Sequence, residues 1–224
     1  MVDNGAAGGS DAVTIYRTTD AGRRWVLLAR SPTPAGRPGT RGAPSVGCEK
    51  TGFSFSGPAQ GWITGYCAMG MVLQESVDGG RIWRETGIRV DDWGIDEFPP
   101  RFFGPETGVM AGGVGTRTGV DDTVFTTTDA GVRWIAHRPP RATSGPIDVI
   151  SGTTWLIARG ETLYLTRDAG ADWTTIRSSL PLGSIDASAL DFVNASDGWA
   201  LTFTPDLAGT LWHTTDGGRS WKQV

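Results

Sequence analysis

The chain has 224 residues, 20 basic and 24 acidic side chains, a formal net charge of −4 and two cysteines. This balance excludes the broad basic surface that binds nucleic acid or an anionic membrane, and no apolar run reaches the length of a membrane span. A hydrophobic content of 38% with 33 glycines, 13 prolines and 10 tryptophans favours many short strands and turns over long helices.

The first twelve residues, MVDNGAAGGSDA, have neither the basic nor the apolar region of a signal peptide. Their small and polar composition predicts a disordered or vector-derived start, followed by one folded domain over 13–224. A strand from residue 13 leads directly into the octet TTDAGRRW at 18–25. Two alternatives stay open for this incomplete first unit: a chain shortened at its N terminus, and a ring with one thin unit.

The octet recurs as SVDGGRIW (76–83), TTDAGVRW (127–134), TRDAGADW (166–173) and TTDGGRSW (214–221). Five positions before each aspartate lies an aliphatic residue, and four positions before it lies an aromatic residue in four of the five units. This lead-in predicts a strand that ends in the octet turn. The fixed positions are Thr18, Asp20, Gly22, Trp25, Ser76, Asp78, Gly80, Trp83, Thr127, Asp129, Gly131, Trp134, Thr166, Asp168, Gly170, Trp173, Thr214, Asp216, Gly218 and Trp221.

A second element precedes four of the octets: KTGFSFSGPAQGWITGY (50–66), RFFGPETGVMAGG (101–113), IDVISGTTWLIARG (147–160) and ALDFVNASDGWALTF (189–203). Each joins two apolar runs through a tight turn, which predicts a hairpin. Together with the strands on either side of the octet, it gives four antiparallel strands, A to D, per unit. Such units predict an all-β propeller of about four whole blades and one half blade. The blade pieces cover about 13–30, 46–86, 100–137, 147–177 and 188–224.

The two cysteines, Cys48 and Cys67, bracket the hairpin of the second unit and lack the spacing of zinc ligands. With a turn at 57–60, paired residue numbers sum to about 117, so Cys48 lies near Cys67 with an offset of two residues. A disulfide is feasible and would indicate an exported protein. Two separate buried thiols are the open alternative. The compartment stays undetermined, with a periplasmic or secreted location favoured if the full-length protein carries an export signal.

The octets themselves are predicted to be structural. The aspartate of each octet can accept backbone N–H groups of its own turn, the glycine supplies a positive φ, and the tryptophan packs between sheets. Each octet offers one carboxylate, whereas calcium requires six to eight oxygens. We therefore predict no metal, no cofactor and no catalytic residue in the octets.

Binding is expected on the opposite face of the ring. In an antiparallel blade the A–B and C–D turns share one face, and the B–C loops and D–A connectors share the other. The octets are C–D turns, so the variable connectors, which usually carry binding, lie opposite. The candidate binding loop consists of Asp91, Asp92, Trp93, Asp96 and Glu97. A solvated connector is the alternative.

The octet pattern Thr/Ser-x-Asp-x-Gly-x-x-Trp resembles the Asp-box, or bacterial neuraminidase repeat. The fuller pattern, with Gly-Trp opening the B strand, is most similar to the photosystem II stability/assembly factor family and its bacterial relatives over nearly all of 13–224. The resemblance implies a propeller but fixes no function, because Asp-boxes also occur in sialidases, xyloglucanases and sortilin-type receptors. The photosynthetic role is not carried over, since no residue ties this chain to a photosystem.

The enzyme that the resemblance suggests first is a sialidase, which needs an arginine triad, a Tyr–Glu pair and an acid/base aspartate. Two of the three tyrosines, Tyr16 and Tyr164, only fill a repeat position. The two histidines, His137 and His213, lie in repeat strands without a Ser/Asp companion motif, which argues against a triad. We predict a non-catalytic scaffold or binding module with a protein or glycan partner. The alternative is a glycan-binding propeller or a fragment of a carbohydrate-active enzyme.

Overall fold

The computed structural model describes residues 1–6, 11–33, 36–67, 70–86, 94–95, 99–116, 119–140, 145–180, 189–203 and 208–224. These ranges contain twenty β-strands and no helix. The strands form five antiparallel sheets that are arranged as the blades of a β-propeller. The prediction of an all-β propeller is therefore confirmed.

The first blade has three strands: β1 (Val2–Ala6), β2 (Asp11–Arg17) and β3 (Val26–Arg30). The second has four: β4 (Glu49–Phe55), β5 (Gly61–Cys67), β6 (Gly70–Ser76) and β7 (Arg84–Glu85). In the third, β8 (Gly94–Ile95) and β9 (Arg101–Phe102) both pair with β10 (Gly108–Thr116), which is followed by β11 (Gly119–Thr127) and β12 (Ile135–His137). The A strand of this blade is thus split into two pieces.

The last two blades have the simple order A to D. The fourth contains β13 (Ile147–Val149), β14 (Trp155–Arg159), β15 (Thr162–Thr166) and β16 (Thr174–Arg177). The fifth contains β17 (Ala189–Phe192), β18 (Gly198–Phe203), β19 (Gly209–Thr214) and β20 (Lys222–Gln223). A hairpin precedes the octet in each of the last four blades.

Part of segment 1–12, expected from its composition to be a disordered or vector-derived start, forms a strand in the structure. Val2–Ala6 forms β1, which pairs with β2 through Val2↔Thr14 and Asp3↔Val13. The side chains of Asp11–Ile15 are buried, and buried backbone N–H and C=O groups need partners. The N-terminal residues supply them, so the first blade has a B strand as well as strands C and D.

The core consists of layers between neighbouring blades. In the first four blades, the aliphatic residue five positions before the octet aspartate points to the following blade. Leu163 of the fourth blade, for example, lies with Phe192 and Trp221 of the fifth in one apolar cluster. Four of these aliphatic residues are at most 2% exposed, whereas Leu211 of the last blade is 43% exposed. We call the side of a blade that meets the next blade its forward face, and the other side its rear face.

Cys48 is disulfide-bonded in the structure, and the chain has one other cysteine, Cys67, whose side chain lies outside the described part. In the structure, the residue numbers of paired positions in this hairpin sum to slightly less than the predicted value of about 117. Phe55 pairs with Gly61, and after a bulge Glu49 pairs with Tyr66. Continued by one residue, this register brings the backbone of Cys48 directly opposite Cys67.

Candidate binding cleft on the octet face

The five octets share one hydrogen-bond pattern. The Thr or Ser hydroxyl at the first position donates to Oδ1 of the aspartate over 2.8–2.9 Å and accepts the N–H of the glycine over 2.9–3.0 Å. The same Oδ1 accepts backbone N–H groups that follow it, such as those of Arg24 and Arg133. Each carboxylate is thus used by its own turn.

Backbone geometry explains two octet positions. The glycine at the fifth position has φ between 84° and 92° in all five octets, a left-handed conformation that favours glycine. The residue before it is also left-handed, with φ between 57° and 77°: Ala21, Gly79, Ala130, Ala169 and Gly217. The sequence had not assigned this fourth position, although its restriction to alanine and glycine was a visible signal.

These hydrogen bonds lower the pKa values of the octet aspartates. The N–H of Arg24 is the main cause for Asp20, and the N–H of Arg133 for Asp129. The side-chain hydroxyl of Ser220, followed by its backbone N–H, lowers the pKa of Asp216 to about 2. Octet carboxylates held ionised in this way stabilise the turn.

Stability is therefore expected to depend on acid pH through Asp216. Because its folded-state pKa of about 2 lies below the ordinary value of 3.8, the stabilisation is complete above pH 3.8 and is lost as the pH falls toward 2. Asp216→Asn removes this contribution and should flatten the pH dependence of the urea midpoint in that range. Asp172→Asn, an exposed aspartate of another octet, is the control. Parallel curves for the wild type and Asp216→Asn would contradict the assignment.

The candidate binding loop of Asp91, Asp92, Trp93, Asp96 and Glu97 lies outside the described residues, so its role stays a prediction. The connector 31–45, expected on the face opposite the octets, is described except at 34–35. Part of it reaches the second octet, because the N–H of Trp83 donates to the carbonyl of Gly42 over 2.7 Å. This connector therefore does not lie wholly on the opposite face.

The two histidines have structural partners. His137 Nε2 lies 2.8 Å from Thr126 Oγ1, and burial lowers the pKa of the imidazole. His213 Nε2 lies 2.7 Å from Asp197 Oδ1, and its ring stacks on Trp199 at 4.7 Å. The sequence had shown no acidic companion for His213, since Asp197 lies 16 positions away in the turn between β17 and β18. His137 contacts a hydroxyl and His213 contacts a carboxylate, whereas a catalytic triad needs a hydroxyl nucleophile and an orienting carboxylate on one imidazole.

Within the described ranges, no group of three or more His, Cys, Asp or Glu side chains is placed to hold a metal ion. The same ranges contain no helix of the length and apolar character needed to cross a bilayer.

The first blade is incomplete at its octet end. Its B strand is in register with β2 only as far as Val2↔Thr14, whereas in the second blade the B strand continues to Gly61↔Ser76 at the start of the octet. Among the described residues, Tyr16 and Arg17 therefore pair with β3 alone.

The octet tryptophans differ in their surroundings. In the other blades each tryptophan packs on an aromatic side chain of its own A–B hairpin: Phe55–Trp83, Phe102–Trp134, Trp155–Trp173 and Phe192–Trp221, with centroid distances of 5.9–6.4 Å. Trp83 is 5% exposed, but Trp25 is 59% exposed. The first octet thus presents its indole to solvent.

Two adjoining cavities lie beside the first octet, and together we call them the cleft. The first, of about 250 Å³, is mainly apolar and is lined by Ile15, Tyr16, Arg17, Thr18, Trp25, Leu28, Phe53, Phe55, Gly57, Pro58 and Gly79. The second, of about 410 Å³, is lined by Arg17, Thr19, Asp20, Arg24, Val26, Leu28 and Arg81. The cleft combines exposed aromatic rings with three arginines and lies on the octet face.

Charge in the second cavity is positive on balance. Arg17, Arg24 and Arg81 face one carboxylate, that of Asp20, which is already bonded to its own turn. Arg17 Nη1 donates to the carbonyl of Pro58 over 3.3 Å. A guanidinium has five N–H donors, and this bond uses one of them. The cleft can therefore receive an apolar or aromatic group next to an anionic one.

The fold and the octet turns define the chain as a β-propeller of repeated four-stranded blades. No family model matches the chain, and no curated protein matches it in sequence. Solved structures do resemble it. YCF48 bound to D1 peptide is 18% identical, with 79% of this chain and 80% of that chain covered and a TM-score of 0.45. YCF48 from Cyanidioschyzon merolae is 14% identical, with 96% and 80% covered and a TM-score of 0.44.

An enzyme also has this likeness. The GH74 xyloglucanase from Xanthomonas campestris is 14% identical, with 95% of this chain but 45% of that chain covered, and the TM-score is 0.33. All three likenesses concern the fold alone, and the function has to be argued from the residues of this chain.

Proposed function

We propose that the chain is a non-catalytic binding module whose partner is a protein. The observation that supports this most directly is the cleft, because Trp, Tyr and Arg are the residues that dominate binding energy in protein interfaces. Tyr16, Trp25 and Arg17 lie together there, beside the phenylalanines of β4.

The state of the octets supports the same proposal. Their carboxylates accept hydrogen bonds from their own turns, as Asp129 does from Thr127 and Arg133. Such groups form a rigid rim and do not need a ligand. Binding to an exposed aromatic site on a rigid scaffold costs little conformational entropy.

The candidate loop of 91–97 is a second proposed contact region, on the face opposite the octets. Its composition, four acidic residues and a tryptophan, is compatible with a polar interface rim around an aromatic anchor. The loop is expected on the face opposite the cleft, so separate variants can assign binding to either one.

Selection from a random twelve-residue peptide library displayed on phage tests the proposal. We expect peptides that bind the wild type and bind Trp25→Ala at least about tenfold more weakly, as truncation of a central aromatic anchor does. Val132→Ala, which shortens an apolar side chain 76% exposed in another octet, should bind like the wild type. A double variant, Asp96→Asn with Glu97→Gln, tests whether the loop contributes to peptide binding.

Selected peptides that depend on Asp96 and Glu97 but not on Trp25 would move the site to the loop face and exclude the cleft. A glycan array and a panel of glycoside substrates complete the test. Glycan binding without any peptide ligand, or turnover that is lost in the Asp96 and Glu97 variant, would overturn the proposal in favour of a carbohydrate-active propeller.

A further inference from the structure

We propose that the disulfide of Cys48 is a redox latch between the first two blades, and that its reduction by a dithiol releases Asp11 of the first blade from the second. Cys48 directly precedes β4, and Cys67 ends β5 at the tip of the β5–β6 hairpin, where its backbone pairs with Gly70. The latch therefore lies at the end of the second blade opposite its octet. It acts without a partner and so goes beyond the proposed function.

The backbone of Cys48 is held in a conformation that L residues rarely adopt, with φ +74°. The other non-glycine residues with positive φ in the described part of the chain all occupy the fourth position of an octet: Ala21, Ala130 and Ala169. Octet turns fix these alanines through their own hydrogen bonds, whereas Cys48 lies outside any octet. Left-handed backbone is unfavourable for a residue with a Cβ, so Cys48 needs restraints, and its disulfide is one of them.

The carbonyl oxygen of Cys48 joins the two blades at this end. It accepts the backbone N–H of Asp11 over 3.2 Å and a hydrogen bond from Lys50 Nζ over 2.8 Å. The backbone N–H of Lys50 in turn donates to Asp11 Oδ2 over 2.8 Å. Asp11 is 6% exposed, and a buried N–H group without an acceptor is costly. The direction of the Cys48 carbonyl therefore decides whether the N–H of Asp11 has its acceptor.

The effect of reduction is confined to this junction, because other contacts hold the same two blades together. The connector between them stays bonded to the second octet, where the N–H of Trp83 donates to the carbonyl of Gly42 over 2.7 Å. Ile15 of the first blade and Ile63 of the second lie in one buried apolar cluster. None of these contacts involves the disulfide. Reduction therefore opens one end of the contact between the blades and leaves the propeller folded.

The chemistry of release is thiol–disulfide exchange. A thiolate of the dithiol attacks one sulfur of the cystine, the S–S bond breaks, and a mixed disulfide forms as the other cysteine leaves as a thiolate. The second thiol of the reagent then attacks the mixed disulfide, so the dithiol is oxidised to a disulfide and the protein gains two thiols. Without the covalent restraint, the backbone of Cys48 relaxes to a negative φ and its carbonyl turns away from Asp11.

The experiment compares the oxidised full chain with the chain held in excess dithiothreitol, under nitrogen and without denaturant. We expect two reactive thiols per chain after reduction, one from each cysteine, and an unchanged far-UV circular dichroism spectrum. Hydrogen exchange at the amides of Asp11 and Lys50 should become at least about tenfold faster on reduction. The amides of Val124 and Leu163, in the third and fourth blades, should keep their exchange rates.

Two paired variants separate backbone strain from loss of the covalent bond. Cys48→Ser with Cys67→Ser should exchange at the Asp11 amide as fast as the reduced chain does. Cys48→Gly with Cys67→Ser also lacks the disulfide, but glycine adopts a positive φ readily, so exchange at Asp11 should be slower than in the serine pair.

A disulfide that dithiothreitol reduces only when the chain unfolds is a structural bond, and that result would overturn the latch. Unchanged exchange at Asp11 in the folded, reduced chain would overturn it too. Equal exchange rates at Asp11 in the serine and glycine pairs would show that the left-handed backbone of Cys48 does not drive the release.

Discussion

Replacing Trp62 with alanine is expected to lower the free energy of unfolding by about 3–5 kcal/mol, the usual cost of deleting a buried aromatic side chain. Trp62 is 0% exposed. Its ring stacks on Phe102 at 5.8 Å and meets Trp134 edge-on at 6.2 Å, so it joins the second blade to the third. Equilibrium denaturation in urea, followed by far-UV circular dichroism, measures the effect.

Trp25→Ala is the matched control because it removes the same side chain from an octet whose indole is exposed. We expect it to change the free energy of unfolding by about 0.5 kcal/mol or less, as surface substitutions usually do. Equal losses for Trp62→Ala and Trp25→Ala would show that packing between blades does not dominate the stability.

The second large effect is expected for Gly131→Ala. The glycine has φ +88°, and an added Cβ would overlap the Trp62 ring. Left-handed strain costs about 1–2 kcal/mol for an L residue, and overpacking a filled core adds about 1–3 kcal/mol. The thermal midpoint and the urea midpoint should both fall.

Gly22→Ala separates the two causes. Gly22 has nearly the same φ, +86°, but the nearest atoms to an added Cβ belong to Trp25 at 3.9 Å. Its substitution should therefore cost the backbone strain alone, and the difference between the two variants isolates the clash with Trp62. If Gly22→Ala proved as damaging as Gly131→Ala, the clash would be irrelevant.

Much of the fold could be predicted from the sequence because its signals are local and repeated. The lead-in strand and the octet recur in five units, and Gly-Trp opens the B strand at 61–62 and 198–199. Strand alternation with turn residues predicts both the strands and the turns. Even an exception has a local reason. Gln74 replaces the aromatic residue of the other units, and its buried amide binds the backbone N–H and hydroxyl of Ser45 in the connector.

The N-terminal strand could not be predicted in this way. Val2–Ala6 contains Asn and Gly and has no alternating pattern, and it becomes a strand because the buried edge of β2 requires a partner. Tertiary context overrides local propensity at this point.

The cleft could not be predicted from the repeat pattern either. Trp25 and Phe53 are 28 positions apart in sequence (53 − 25) and line the same cavity in the structure. A motif search finds what is present in each unit. The cleft depends on side chains of two units, and the octet that lines it has the usual sequence.

The forward and rear faces have a consequence for how the chain keeps its structure. Each internal blade is held by two neighbours, so stability is distributed along the array as a sum of blade terms and contact terms, much as in a linear solenoid. In the structure, Leu211 and Trp25 are 43% and 59% exposed, so the contact terms at these two surfaces are small. A partner bound beside Trp25 would add a contact term to the first blade and so couple its occupancy to the rigidity of the array.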